Sequence, residues 1–123
     1  MRSRQFTMVS FKPGLLVLAL ALVLSSSSVV AGPVNVDDAK ALAKASNCFK
    51  CHSVSKPKDG PSWHSVAEKY ESKPDEERMK RLTTHISSGE MVKFEDGHEE
   101  HHAMVKTKDP ARITNLVRYI LSL

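Results

Sequence analysis

Cys48-Phe49-Lys50-Cys51-His52 is the stretch of sequence that decides the fold. It has the pattern Cys-x-x-Cys-His, which is typical of covalent attachment of a c-type haem. One helical turn over this stretch brings both thiols to one side of the chain, where each can add to a vinyl group of haem. His52 follows directly, so its imidazole can bind the iron. The pattern predicts one haem, held by Cys48 and Cys51, with His52 as the proximal ligand.

Residues 1–31 have the composition of a secretory signal peptide. Basic residues precede an unbroken apolar run at 15–24, and small residues ending at Ala31 offer a cleavage site. The run is shorter than the roughly 20 residues that span a bilayer, so cleavage is favoured over an uncleaved membrane anchor. No twin-arginine pair is present, which favours export of the unfolded chain. We therefore expect a periplasmic protein cleaved near Ala31, with no stable membrane insertion afterwards.

The mature chain, residues 32–123, is long enough for one domain. The signal carries three of the 18 basic residues and none of the 14 acidic ones, which leaves 15 basic against 14 acidic. A net charge near zero gives no reason to expect a nucleic-acid partner. A monomer is expected.

The first helix is predicted to begin near Asp37, with Asn35 or Asp37 as its cap, and to run toward Cys48. Small and apolar residues recur on one of its faces, which a second helix can approach closely. These are Ala39, Leu42, Ala43 and Ser46.

Residues 53–62 contain two prolines and a glycine without apolar periodicity, and they predict a loop. Ser62 is placed to cap a short helix over 63–70. Pro74 suits the first turn of a third helix, which continues to about Ser87 and ends at Gly89. Its apolar stripe is Met79, Leu82 and Ile86.

The last helix is capped by Asp109 and has Pro110 at its first position. Its buried face is predicted to comprise Ile113, Leu116, Val117, Ile120 and Leu121, with Tyr119 contacting the small face of the first helix. Residues 90–108 show no regular pattern, and a loop of this length in so small a domain is usually functional or disordered. No strand is predicted anywhere in the chain.

Three sequence features together resemble a small bacterial class I cytochrome c. They are an N-terminal helix leading into Cys-x-x-Cys-His at 48–52, Gly60-Pro61-x-Trp63, and a C-terminal helix ending at 116–123. The resemblance covers essentially the whole mature chain. It implies an all-α fold of four or so helices wrapped around one covalently attached haem.

The resemblance also implies roles for residues around the haem. The carbonyl of Pro61 would accept a hydrogen bond from the ring of His52, which orients the imidazole and raises its basicity. Trp63 and Tyr70 would pack on the haem edge, although plain core packing explains them equally well.

The sixth iron ligand is left open by the sequence. Many members of the family present a methionine between prolines, and no methionine here has a proline neighbour. Met104 lies at about the usual place. His102 followed four residues later by Lys106 resembles a less common group with two histidine ligands and a lower potential. We favour His102 narrowly over Met104. Met91 is a weaker choice, and His98 and His101 are expected to be solvent-exposed.

Two other interpretations of the Cys-x-x-Cys motif are less favoured than haem attachment. A thiol–disulfide oxidoreductase places this motif at a strand-to-helix junction, and no strands are predicted. A zinc or copper site would need two histidines from 95–102, which lie too far along the chain for finger spacing.

The favoured function is therefore electron transfer between redox-protein donors and acceptors, not catalysis. Lysines near the haem edge are candidates for steering acidic partners; they are Lys50, Lys56, Lys58, Lys106 and Lys108. The alternatives are haem-based binding of a small ligand, which needs an open sixth position, and a role as the cytochrome subunit of a larger oxidoreductase.

Overall fold

A computed structural model describes one unit of the chain, residues 32–123. The predicted signal peptide and its cleavage site at Ala31 lie outside the described residues. Five helices and one two-stranded sheet are present in this unit. The helices are α1 (Val36–Ala45), α2 (Cys48–Cys51), α3 (Trp63–Tyr70), α4 (Asp75–Ser88) and α5 (Pro110–Leu121), and the strands are β1 (Met91–Lys93) and β2 (Glu99–His101). The mostly helical fold expected from the sequence is confirmed. None of the helices within 32–123 has the length and apolar character needed to cross a membrane.

The N-terminus of α1 is capped by Asn35, one of the two residues that the sequence offered. The Asn35 side chain accepts a hydrogen bond from the amide of Asp38 at 3.0 Å. The Asn115 side chain exchanges two further bonds, each of 2.8 Å, with the Asn35 backbone. Asn35 therefore begins α1 and joins it to α5.

Replacing Asn35 by alanine is expected to lower the free energy of unfolding by about 1 kcal/mol, because an amide in the first turn of α1 loses its acceptor. Replacing Asp37, which is exposed and forms no cap, should change it by less than about 0.5 kcal/mol. Urea unfolding of the haem-loaded variants measures both values. Equal losses in the two variants would contradict the assignment of the cap.

The first helix is shorter than predicted, because the chain turns before Cys48. Asn47 adopts the left-handed conformation with φ 61°, which ends α1 and starts the separate single turn α2. Asparagine tolerates this conformation better than most residues. The Ser46-Asn47 pair is the sequence signal for this break. The helical periodicity instead placed Ser46 on the buried face of the first helix.

The core lies where α1 and α5 pack together and where α3 and α4 pack on α5. The predicted face of α1 is buried throughout, including the hydroxyl of Ser46. Trp63 is at the centre, with its ring centroid 5.0 Å from Phe49 and 6.0 Å from Tyr119 in an edge-to-face arrangement. The buried hydrophobic residues are Ala39, Leu42, Ala43, Trp63, Leu82, Ile86, Val105, Leu116, Val117, Tyr119 and Ile120.

The strands β1 and β2 correct the expectation that the chain has no strands. They form an antiparallel hairpin in which Met91 pairs with His101 and Lys93 with Glu99. Each strand has only three residues and is largely exposed, so no alternation of apolar and polar residues marked it. The Asp96-Gly97 turn, with Gly97 at φ 90°, was the signal that could have found the hairpin.

The segment after the hairpin is tied to two helices by backbone amides. The amide of His102 donates to the carbonyl of Glu90 at 2.8 Å, and that of Val105 donates to Ile86 at 2.8 Å. The amide of Lys106 donates to the buried hydroxyl of Ser46 at 2.9 Å. Residues 102–106 are therefore an ordered strap, which we call the 102–106 strap.

Candidate functional site

The single turn α2 presents Cys48, Cys51 and His52 from one short piece of backbone. The amide of His52 donates to the carbonyl of Cys48 at 3.0 Å, which closes the turn. His52 itself is extended, so its ring leaves the helix axis. Both cysteines are free and half-buried, and burial raises the pKa of the Cys48 thiol. Cys48, Cys51 and His52 all line interior cavities of the fold.

The loop 53–62 holds the ring of His52 in one orientation. Its Nδ1 lies 2.7 Å from the carbonyl oxygen of Pro61, as the resemblance implied. Because a carbonyl only accepts, Nδ1 carries the proton and Nε2 keeps a free lone pair. Gly60 lies so close to the ring that an added Cβ would come 2.7 Å from Cε1 of His52. Only a glycine leaves room for the imidazole there.

His102 faces His52 from the 102–106 strap. The two ring centroids are 6.1 Å apart and the ring planes are inclined by 47°. Nδ1 of His102 is buried and has no hydrogen-bond partner within the described chain. Burial, and then the nearby His85 and His52, lower the pKa of His102. The neutral imidazole is therefore favoured, and this is the form that binds a metal ion.

The other sixth-ligand candidates lie away from His52. Met104 is 58% exposed and rests against Gly89, and Met91 is 51% exposed on the hairpin. His98 stacks on Phe94 at 4.2 Å, and His101 binds the carbonyl of Gly89. Both histidines are exposed, as expected.

A cavity of about 660 Å³ opens between the two histidines. Its lining includes Cys51, Pro61, Val66, Tyr70 and Ala103 together with both imidazoles. A second, narrow cavity of about 70 Å³ shares Cys51 and both imidazoles with the first; its lining also includes Cys48, Trp63, Leu82, Ile86, Leu116 and Ile120. Tyr70 borders the wide part and Trp63 the narrow part. The two cavities together form a slot with an apolar floor and with sulfur and nitrogen donors on its walls.

Several charged or polar residues beside this slot have no role predicted from the sequence. His85 lies with its ring centroid 4.2 Å from that of His102 and is hydrogen-bonded to Glu90. Both line the cavity, as do Lys69 and Lys93. In the sequence, the position of His85 on α4, one residue before the buried Ile86, is only a weak indication that its ring approaches the cavity edge.

The five lysines that are candidates for steering acidic partners lie on several surfaces. Lys50 and Lys58 line a separate shallow cavity beside Glu95 and Asp96 of the hairpin, and Nζ of Lys58 donates to the carbonyl of Phe49 at 2.6 Å. The remaining three, Lys56, Lys106 and Lys108, are exposed. None of these positions identifies a partner.

The described residues show no geometry that matches a thiol–disulfide oxidoreductase or a zinc or copper site at the cysteine motif. Within residues 32–123, no group of three or more His, Cys, Asp or Glu side chains is arranged to hold a metal ion. The two strands are antiparallel neighbours joined by a tight turn, and neither leads into α2.

The chain is similar to known cytochromes in both sequence and structure. The family model for cytochrome c matches residues 36–123. The crystal structure of the class 1 cytochrome MtoD from Sideroxydans lithotrophicus ES-1 is 54% identical, covers 73% of this chain and 97% of its own, and superposes with a TM-score of 0.68. Wild-type cytochrome c552 from Nitrosomonas europaea is 30% identical over 68% of this chain and 98% of its own, with a TM-score of 0.55. No curated protein sequence gives a significant match.

Proposed function

Because the chain belongs to the cytochrome c family, we propose that it is an exported carrier whose haem iron is bound by His52 and His102. Membership of class I makes it an electron-transfer protein with a covalently attached c-type haem. The iron ligands, the export and the carrier role in the periplasm are our proposal. The single observation that carries the ligand assignment is the 6.1 Å separation of two facing imidazoles across the slot.

The residues present fit a haem. Metal–imidazole bonds are about 2 Å long and ring centroids lie roughly 1 Å beyond each nitrogen, so two imidazoles on one metal ion have centroids about 6 Å apart. Nε2 of His52 would be available to bind the iron from one wall of the slot, and His102, whose buried Nδ1 has no partner in the described chain, would bind it from the other. Cys48 and Cys51 line the same slot, so both thiols can form the thioether bonds to the cofactor.

The exposure of Met104 argues against it as the sixth ligand. A thioether bound to iron would be turned toward His52, whereas Met104 lies against Gly89 on the outside of the strap. The lowered pKa of His102 reduces competition from protons for the ring nitrogen.

The haem supplies one-electron chemistry by cycling between ferric and ferrous iron. The chain orients one imidazole through Pro61 and orders the strap that carries the other. Apolar residues around the slot exclude water and lower the local dielectric. No general acid or base is needed. Residues 1–31 support export, since their composition is that of a signal peptide.

Absorption spectra of the purified mature protein test the proposal. We expect a Soret band that persists after denaturation, a low-spin ferric spectrum, and no long-wavelength charge-transfer band of a methionine–iron bond. Such a band would make methionine the ligand. Ready binding of carbon monoxide to the reduced protein would favour ligand binding over electron transfer. Detection of the haem-loaded protein in the periplasmic fraction tests the proposed location.

Replacing Gly60 by alanine is expected to weaken the His52–iron bond, because the new Cβ occupies the space of the imidazole. The ring must move, and its hydrogen bond to Pro61 is lost or lengthened. The loss of such an orienting bond typically costs about 10- to 100-fold in metal affinity. We expect a partly high-spin ferric spectrum at neutral pH, measured by absorption and electron paramagnetic resonance.

Gly97→Ala is the matched control for this variant. Gly97 also occupies a loop, but nothing lies within 4 Å of an added Cβ there. Its positive φ makes some loss of stability possible without any effect on the iron. An unchanged spectrum in Gly60→Ala would contradict the close packing of Gly60 on the ring.

A further inference from the structure

Two exposed methionines flank one glycine on the outer side of the hairpin and strap. Met91 and Met104 are two of the three large hydrophobic residues that are exposed within residues 32–123. Exposed thioethers contribute little to folding, so their position near one histidine calls for another explanation. We propose that Met91, His101 and Met104 form a binding site for a soft monovalent cation of the Cu(I) type.

The ring of His101 is already oriented as a metal ligand would be. Its Nδ1 lies 2.7 Å from the carbonyl oxygen of Gly89, so Nδ1 carries the proton and Nε2 keeps its lone pair. A ligating histidine commonly donates its second ring N–H to a backbone carbonyl in this way, which fixes the tautomer. His101 is exposed, so its free nitrogen is accessible.

Met91 lies directly across the hairpin from His101. The two residues are paired in the ladder, at a position between the hydrogen bonds that join His102 to Glu90 and Phe94 to His98. This is a non-hydrogen-bonded position, where the two side chains leave the same face and stand closest together. The thioether of Met91 is therefore within reach of a cation on Nε2 of His101.

Met104 contacts Gly89 from the strap. Its Sδ lies 3.4 Å from the position that a Cβ on Gly89 would take, and Gly89 is the residue whose carbonyl holds His101. The positive φ of Gly89, 65°, ends α4 and turns the chain into β1. One glycine thus brings the backbone that anchors His101 against the thioether of Met104.

The donor set determines which cation the site would take. Thioethers are soft, uncharged ligands that favour Cu(I) over hard cations such as Ca²⁺ and Mg²⁺, and imidazole also suits copper. Two thioethers and one imidazole carry no charge, so a monovalent ion is favoured over a divalent one. Glu99 and Glu100 on β2 add negative charge nearby.

This site is separate from the haem slot. Met91, His101 and Met104 are exposed and do not line the slot, whereas His102 does. A cation on the outer face therefore need not disturb the iron ligands. The inference holds whether or not His102 is the sixth iron ligand. It fails if that ligand is Met104 or Met91.

Titration of the ferric haem-loaded protein with Ag⁺ tests the site, because Ag⁺ has the ligand preference of Cu(I) and does not reduce the haem. In this form Cys48 and Cys51 are thioethers of haem and leave no thiol to compete. Native mass spectrometry and the methyl NMR signals of methionine report binding. We expect one Ag⁺ per chain, shifts confined to Met91 and Met104, and an unchanged Soret band.

Met91→Leu and Met104→Leu keep the size of the side chain and remove the sulfur. Each is expected to weaken Ag⁺ binding by about tenfold or more. His64→Ala is the control, since His64 is an exposed histidine on α3. The proposal is wrong if Ag⁺ does not bind stoichiometrically, if both leucine variants bind as tightly as the parent, or if His64→Ala loses as much affinity. A shift of the Soret band on Ag⁺ addition would also overturn it, because the cation would then be taking an iron ligand.

Discussion

Replacing His102 by alanine is expected to leave the haem iron with a single protein ligand and to convert the ferric protein from low-spin to largely high-spin. The reason is that His102 is the imidazole that faces His52 across the slot, with the ring centroids 6.1 Å apart. Exogenous imidazole should restore the low-spin spectrum, and reduced protein should bind carbon monoxide readily. Absorption and electron paramagnetic resonance spectra measure these changes.

The His102→Met variant should move the reduction potential upward, because a thioether stabilises ferrous haem relative to an imidazole. Axial ligands span about 0.8 V across haem proteins, so a rise on the order of 0.1 V is expected. Met104→Leu is the matched control and should change neither the spin state nor the potential. If Met104→Leu instead produces the high-spin form and His102→Ala does not, the ligand assignment must be reversed.

Replacing both Cys48 and Cys51 by serine is expected to abolish covalent attachment. All haem should then be extracted by acidified organic solvent, whereas none is extracted from the parent. The apolar slot also loses the group that fills it, so little folded protein should accumulate in cells. A chain of this size buries only a small core without such a cofactor.

The single cysteine variants are each expected to keep one thioether bond and to retain haem on extraction. Lys50→Ala, in the same turn, is the control and should behave like the parent, since Lys50 lies on the exposed side of α2. Haem retained by the double variant after extraction would show that attachment occurs elsewhere. The predicted chemistry of the motif would then be wrong.

The sequence predicted those parts of the fold that local chemistry determines. Asn35, Ser62 and Asp109 each accept a hydrogen bond from an amide in the first turn of the following helix. Gly89 ends α4 in the left-handed conformation, as its position suggested. Caps and C-terminal glycines act within one turn, so the residues that make the contact are neighbours in sequence.

The hairpin and the site around His102 depend on contacts that a linear pattern does not contain. The direction of His102 depends on the register of β1 with β2, and a shift of one residue would turn the opposite set of side chains toward the slot. His102 and Met104 remained nearly equal choices in the sequence because both precede the last helix at suitable distances. His85 approaches His102 only through the packing of α4 beside the strap.

The ordering of the 102–106 strap has a consequence for the speed of electron exchange. Three amides fix this segment to Glu90, Ile86 and Ser46, which belong to different parts of the chain. If the 102–106 strap carries an iron ligand, as proposed, that ligand has little freedom to shift when the charge on the iron changes. The nuclear rearrangement that accompanies oxidation or reduction is then small, and a preorganised site of this kind lowers the activation barrier for self-exchange.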